Sequence, residues 1–284
     1  MRRSGRAWEQ TEEQIFEMLP KLRGASRDDL TGLLTDKGAL ARARRLTRSR
    51  SAVRRCRGVF ALGVLGDRDA LARMVEMLDD RSFVVRRTAV RALGNLGDPA
   101  AIHALLGLIG HDPRLSRDVV YALDRIGSVA APMLRAELLD ALEHPGSDRP
   151  EADIAAAVLG LIGDFRAAPV LAGGLASRQP GLDVACAEAL GRVGSAETLP
   201  ELVSALSSDR GALRTAAARA LGLLGATEAL EDLVLALDVD DPLLSREAAE
   251  ALHKLGEPGM AALRASRSPY AVETVAMAEL KASR

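Results

Sequence analysis

The stretch ALGNLGD at residues 92–98 sets two glycines three residues apart, behind an Ala-Leu pair and ahead of an aspartate. Six relatives of it recur: ALGVLGD at 61–67, ALDRIGS at 122–128, VLGLIGD at 158–164, ALGRVGS at 189–195, ALGLLGA at 220–226 and ALHKLGE at 251–257. The leucines fall at 62, 93, 123, 159, 190, 221 and 252, in steps of 31, 30, 36, 31, 31 and 31. A period near 31 lies in the range of helical repeat arrays. The one long step contains HPGSDRP at 144–150, whose composition reads as an enlarged loop.

One unit, DDRSFVVRRTAVRALGNLGD, explains each residue of the signature. Val85, Ala89, Ala92, Leu93 and Leu96 recur at helical spacing and form one apolar face. Gly94 lies inside that helix, where glycine costs about 1 kcal/mol relative to alanine, so a neighbouring helix is expected to approach closely there. Gly97 reads as the left-handed residue that ends the helix. Asp98 then caps the next helix and Pro99 takes its first position, where a missing N–H costs nothing. The signature is therefore the corner between two antiparallel helices: B of one unit and A of the next. Asp112-Pro113, Asp241-Pro242 and Ser268-Pro269 read as caps at the start of B helices, and Pro132, Pro169 and Pro200 bend the first turn of A helices.

Composition agrees. Apolar residues are 48% of 284 but aromatics only 2%, so Ala, Leu and Val must fill thin layers of closely spaced helices. No segment sustains strand-type alternation. The fold class is all-α, an α-solenoid (superhelix) of about eight antiparallel helix pairs. Pairs end near 66, 97, 127, 163, 194, 225 and 256, and a C-terminal capping pair, SPYAVETVAMAELKASR, follows. The array spans 27–284. Residues 1–26 supply an N-terminal amphipathic helix, with Ile15, Met18, Leu19 and Leu22 as its apolar stripe, that covers the first repeat.

The pattern DP-x-x-A…L…D…VR…A…ALG-x-LGD resembles the HEAT repeat, in particular the short bacterial variety of phycobilisome-lyase-like HEAT proteins. Residues 163–177 and 209–225 match it best. The resemblance implies a solenoid and leaves function open.

Chemistry finds little purchase. HEAT-repeat deoxyhypusine hydroxylases hold two irons with His-Glu dipeptides, whereas His103, His111, His144 and His253 are followed here by Ala, Asp, Pro and Lys. HEAT-like DNA glycosylases use aromatics over a basic surface, and the single tryptophan, Trp8, precedes the array. Cys56 and Cys186 stand 130 residues apart, outside any CxxC pair, and read as buried thiols of a reducing cytoplasm. No cofactor, no metal and no enzymatic activity are expected.

The outward stripe of the B helices is the usual partner surface of such arrays. Counted from the signature Ala it occupies the fifth residue before, the residue before and the third after. That reading gives Cys56/Phe60/Val64, Arg87/Arg91/Asn95, Arg117/Tyr121/Arg125 and Asp153/Ala157/Leu161, then Val184/Glu188/Arg192, Thr215/Arg219/Leu223 and Arg246/Glu250/Lys254. Eight bases face three acids, although residues 58–284 as a whole are acidic. Arg87, Arg91, Arg117, Tyr121 and Arg125, with Arg192 and Arg219 beyond them, form the expected partner-binding strip; the competing reading is a solvated arginine face. Arg55, Arg86 and Arg214, six residues before the signature Ala, read as structural bridges to aspartates of neighbouring repeats.

Residues 1–57 carry 15 Lys/Arg against 7 Asp/Glu. Their densest run, 41–58, holds Arg42, Arg44, Arg45, Arg48, Arg50 and Arg54 and could meet nucleic acid or an anionic membrane. No interleaved aromatics support the former. The latter would suit a chain tethered by a removed N-terminal anchor, since MRRSGRAWEQ reads as juxtamembrane sequence. The sequence thus points to a cytoplasmic, bacterial, non-catalytic scaffold or adaptor binding an acidic protein partner. A lyase-like or chromophore-handling accessory is the alternative, and nucleic-acid or membrane binding through the first repeat the third.

Overall fold

The structure is a computed structural model that describes residues 11–144, 150–179 and 181–282. Trp8 and the first ten residues, and nearly all of the loop expected at 144–150, lie outside the described residues. Those that are described form helices and turns, with no strand among them.

A helix through residues 11–18 (α1) is followed by α2 (Ala25–Asp36) and then by eight pairs. The B helices are α4 (Ala52–Leu65), α6 (Phe83–Leu96), α8 (Ser116–Ile126), α10 (Pro150–Ile162), α12 (Leu182–Val193), α14 (Gly211–Leu224) and α16 (Pro242–Lys254). The A helices are α3 (Ala39–Leu46), α5 (Leu71–Glu76), α7 (Ile102–His111), α9 (Ala131–Glu143), α11 (Ala168–Gly174), α13 (Leu199–Ala205), α15 (Leu230–Leu237) and α17 (Glu257–Ala265), and α18 (Pro269–Ala282) completes the last pair. This is an all-α solenoid. The chain divides into two compact units, the first ending at Ala130 and the second beginning at Ala131. In the first, α4 packs on α6 and α6 on α8; in the second, α10, α12, α14 and α16 pack in succession.

The signature performs as its residues require. Val85, Ala89, Ala92, Leu93 and Leu96 are all buried, and full burial of one such leucine contributes about 1.5–3 kcal/mol. Gly94 meets the next B helix: a Cβ there would lie 2.7 Å from the Cα of Ala122. Gly63 on Ala92, Gly160 on Ala189, Gly191 on Ala220 and Gly222 on Ala251 repeat that contact. The signature Ala of one repeat thus receives the mid-helix Gly of the previous one, and the small pair brings two helix backbones together. ALDRIGS and ALHKLGE have Asp124 and His253 where the other five signatures have glycine, and the first unit ends six residues beyond Asp124.

Gly97 ends α6 with φ +69°, a conformation that side chains rarely adopt. Asp98 accepts from the N–H of Ala100 at 3.0 Å, as its capping role requires. Several A helices start through a single 3-10 turn, at Pro99–Ala101, Phe165–Ala167 and Ala196–Thr198 but also at Arg68–Ala70 and Thr227–Ala229, where no proline is near. Pro169 and Pro200 follow their turns as the second residue of α11 and α13, where a missing N–H is tolerated. Asp241 caps α16 through the N–H groups of Leu243 and Leu244. Asp112 does not cap α8 as its Asp-Pro pair suggested. A 3-10 turn, Pro113–Leu115, intervenes, and the carboxylate is taken by Arg86 and Arg114.

That pairing belongs to a series. Arg55 meets Asp80 at 2.6 Å, Arg86 meets Asp112 at 2.5 Å and Arg214 meets Asp241 at 2.7 Å, each tying a B helix to the A–B corner of the following pair. At the start of the array, Ile15 and Leu19 are buried in a cluster with Leu34, Ala39, Val64 and Leu65, while Met18 of the predicted stripe faces solvent.

Candidate interaction groove

In the first unit α4, α6 and α8 lie side by side and enclose a groove of about 740 Å³. Eight of the nine stripe positions expected on these helices line it, from Phe60 and Val64 through Arg87, Arg91 and Asn95 to Arg117, Tyr121 and Arg125. Phe16 of α1 packs against Phe60, their ring centroids 6.4 Å apart. Five guanidinium groups line the groove against one carboxylate, Asp118.

The five arginines are not equivalent. Arg27, in the first turn of α2, donates to the carbonyls of Leu19 and Val64 at 2.9 and 3.0 Å. The second of these lies at the C-terminal end of α4, where the helix dipole favours a cation. Arg87 and Arg91 converge on Asp118, their Nε atoms 3.0 and 2.8 Å from its oxygens. Arg117 and Arg125 make no ion pair among the described residues. They stand on either side of Tyr121, one helical turn away each, and Arg125 lies 5.9 Å from the Tyr121 ring centroid. Tyr121 is 54% exposed. The available charge therefore sits on α8, whereas sequence alone spread it evenly over α6 and α8.

The remaining predicted residues serve elsewhere. In the second unit, Arg192 pairs with Glu188 within α12. Arg219 donates to Glu247 at 2.7 Å and to Glu188 at 3.1 Å, so two carboxylates flank it and hold it more firmly protonated. Of the basic run, Arg42 is bound to Glu12 and to the carbonyl of Lys37, and Arg44 grips Asp67 through two hydrogen bonds of 2.7 and 2.6 Å. Arg45, Arg48, Arg50 and Arg54 are exposed and make no ion pair among the described residues. A run without one acid in its sequence is thus partly neutralised in space.

With this geometry in view, known families can be compared. HEAT repeats match residues 40–124, 135–218 and 199–272. The chain belongs to the HEAT-repeat family. No curated protein matches its sequence. Among solved structures, this HEAT array is similar to the complex of CpcE and CpcF of phycocyanin lyase from Nostoc. The identity is 21% over 83% of this chain and 91% of that one, with a TM-score of 0.39. It is similar to human deoxyhypusine hydroxylase at 22% identity over 88% and 98% of the two chains, with a TM-score of 0.38. An engineered protein is 20% identical over 92% and 76%, with a TM-score of 0.42.

Within the HEAT array, all four histidines are exposed, and among the described residues no three His, Cys, Asp or Glu side chains gather as a metal site would need. No helix among them is long and apolar enough to cross a membrane. Sequence reading missed Asp118, Glu247 and Arg27. The first two share one address, four residues before the signature Ala, opposite an arginine that immediately precedes the signature Ala of the previous repeat, so the repeat grid could have found them. Arg27 lies before the grid and carried no such signal.

Proposed function

We propose that the protein is a non-catalytic binding scaffold whose α4–α6–α8 groove takes an acidic segment of a protein partner. The observation that carries this reading is the pair of unneutralised guanidiniums, Arg117 and Arg125, flanking the exposed ring of Tyr121 on one face of α8. Arg117 and Arg125 lie two helical turns apart, about 12 Å along the axis, so two carboxylates at that spacing would reach them while an apolar side chain lies on the ring. Interaction through complementary charge sets specificity and on-rate. Guanidinium groups stay protonated and supply no general base, so this lining suits holding a ligand better than transforming one.

The test is a titration of a fluorescent glutamate-rich peptide, read by anisotropy, into the wild type and an R117E/R125E variant. Circular dichroism establishes that the variant is folded. Wild-type binding that falls at least tenfold in the variant, a loss of about 1.4 kcal/mol, supports the reading. Equal binding by both removes the groove as the site.

A further inference from the structure

The protein carries its charge in two blocks. Through Ala130 it has 24 Lys/Arg against 16 Asp/Glu, a net of +8; from Ala131 onward it has 14 against 23, a net of −9. The two excesses nearly cancel in the whole chain and would be exposed to any partner that meets one block at a time.

One corner of the acidic block differs from all the others. α15 ends at Leu237 and α16 begins at Pro242. Between them the chain reads Asp-Val-Asp-Asp, and this A–B corner contains no basic residue. Each of the other seven A–B corners carries an arginine, from Arg50 in the first to Arg267 in the last. The corner is also apolar at its tip: Leu235 is 70% exposed, Leu243 67% and Val239 45%. Leu235, Val239 and Asp240 line one hollow of about 390 Å³. Asp241 is used within the fold, by Arg214 and the α16 cap, but Asp238 and Asp240 are exposed and make no ion pair among the described residues. Exposed leucine and valine beside carboxylates without a partner are the chemistry a contact surface would use.

The groove of the first unit is its complement. It offers two unpaired cations where the corner offers two unpaired anions. It also offers Tyr121 and Phe60, both partly exposed, where the corner offers Leu235, Val239 and Leu243. We infer that the groove takes a second copy of this chain: the α15–α16 corner of one molecule seats against α8 in the groove of another, with Asp238 and Asp240 opposite Arg117 and Arg125. This inference rests on the groove's taking an acidic occupant. Because the two surfaces differ, the contact is heterologous, and a pair of molecules still has one groove and one corner unoccupied. Such an interface builds chains or closed rings. It is weakened by salt, which screens exposed charges beyond about 10 Å at 0.1 M.

Sedimentation velocity over a range of protein concentrations and ionic strengths tests it, using the full chain and two charge reversals, R117E/R125E and D238R/D240R. The wild type is expected to sediment faster as concentration rises at low salt. Each variant alone is expected to remain monomeric, because its groove and corner then carry the same sign. An equimolar mixture of the two is expected to associate again, since every groove finds a corner of opposite sign. Rescue on mixing is a result that misfolding cannot produce. A wild type that stays monomeric at low salt overturns the inference, as does a mixture that fails to associate when the wild type does. The glutamate-rich peptide, titrated into the same samples, separates the two readings. Peptide binding by a wild type that never self-associates removes the second copy and leaves an acidic partner of another kind. Loss of both removes the groove itself.

Discussion

Asp183 and Arg210 make the bridge that Arg55 and Asp80 make, with the charges exchanged. In both cases the B-helix member lies six residues before the signature Ala and its partner lies in the A–B corner of the next pair. Asp183 is fully buried, and burial pushes its carboxyl up, while the N–H of Val184 and the guanidinium of Arg210 pull it down. Removing one member of a buried pair costs about 3–5 kcal/mol, because the other charge is left without a partner. Arg210 keeps some contact with solvent, so D183A is expected at the lower end of that range. D183R/R210D, which restores the orientation used elsewhere in the array, is expected to recover most of the loss. Urea unfolding of the three proteins checks this; a double variant no better than D183A would show that the site is tuned to its reversed polarity.

Three glycine-to-alanine changes should separate three physical causes. G94A puts a Cβ 2.7 Å from the Cα of Ala122, against backbone that cannot turn aside, so overpacking of about 1–3 kcal/mol exceeds the helix-propensity gain. G97A meets no atom within 4 Å but holds φ at +69°, and should cost about 1 kcal/mol. G107A sits on the exposed face of α7 with open space around it, and should stabilise by up to about 1 kcal/mol. Melting temperatures falling for the first two and rising for the third would match this order.

These glycines also show where sequence suffices. A residue whose reason is local or periodic is legible: Gly97 through its corner, Gly94 through the repeat that brings the next alanine to it, and the α4–α6–α8 stripe through helical phase. A residue whose meaning depends on a partner 27 or more positions away is not, unless the repeat grid is read in pairs. Arg91 and Arg117 look alike in sequence, yet Asp118 holds one and leaves the other free. Arg219 looked like part of the same strip until Glu188 and Glu247 were seen on either side of it. Asp112 read as a cap because Asp-Pro is a good local signal, and two arginines outbid the backbone for its oxygens.

Acid should weaken the inter-repeat bridges in a defined window. The hydrogen bonds from Arg114 and Arg86 hold the Asp112 carboxyl down to about 2, from an ordinary 3.8. Asp241 is lowered by Arg214, and Asp80 is lowered by Arg55 in spite of its burial. A carboxylate depressed in the folded state stabilises above its unfolded pKa, and the contribution disappears as pH falls through the folded one. Thermal stability should therefore change little from this source between pH 7 and about 5, then decline from about 4 toward 2. D112N should start less stable at neutral pH and show a shallower decline, measured by thermal melts across that range.

The two cysteines should differ sharply toward a thiol reagent. Cys186 is fully buried, and desolvation, followed by the nearby Asp153 and Asp183 carboxylates, pushes its thiol up. Cys56 is partly exposed on α4. Reaction requires the thiolate and access to it, so the native protein is expected to titrate about one thiol quickly and the second only in denaturant. Rapid reaction of Cys186 in the native state would mean that α12 opens locally.

Asp118 gives the groove a test of opposite sign. It is the groove's one carboxylate, its side chain only 13% exposed, and it engages Arg87 and Arg91, whose own side chains are about half exposed. Pairs open to solvent on one side contribute little to stability, about 0.2–1 kcal/mol, so D118A should fold and melt nearly as the wild type does. Its effect on an anionic ligand should be large. Removal of the carboxylate deletes a repulsive charge and releases two guanidiniums, so that Arg87 and Arg91 join Arg117 and Arg125 as side chains open to an anionic ligand. Binding of the glutamate-rich peptide should tighten severalfold and depend more steeply on salt, while R117E/R125E weakens it. If D118A instead weakens the peptide, then Asp118 serves by aiming Arg87 and Arg91 at the ligand, and the α6 arginines belong to the binding surface as positioned donors.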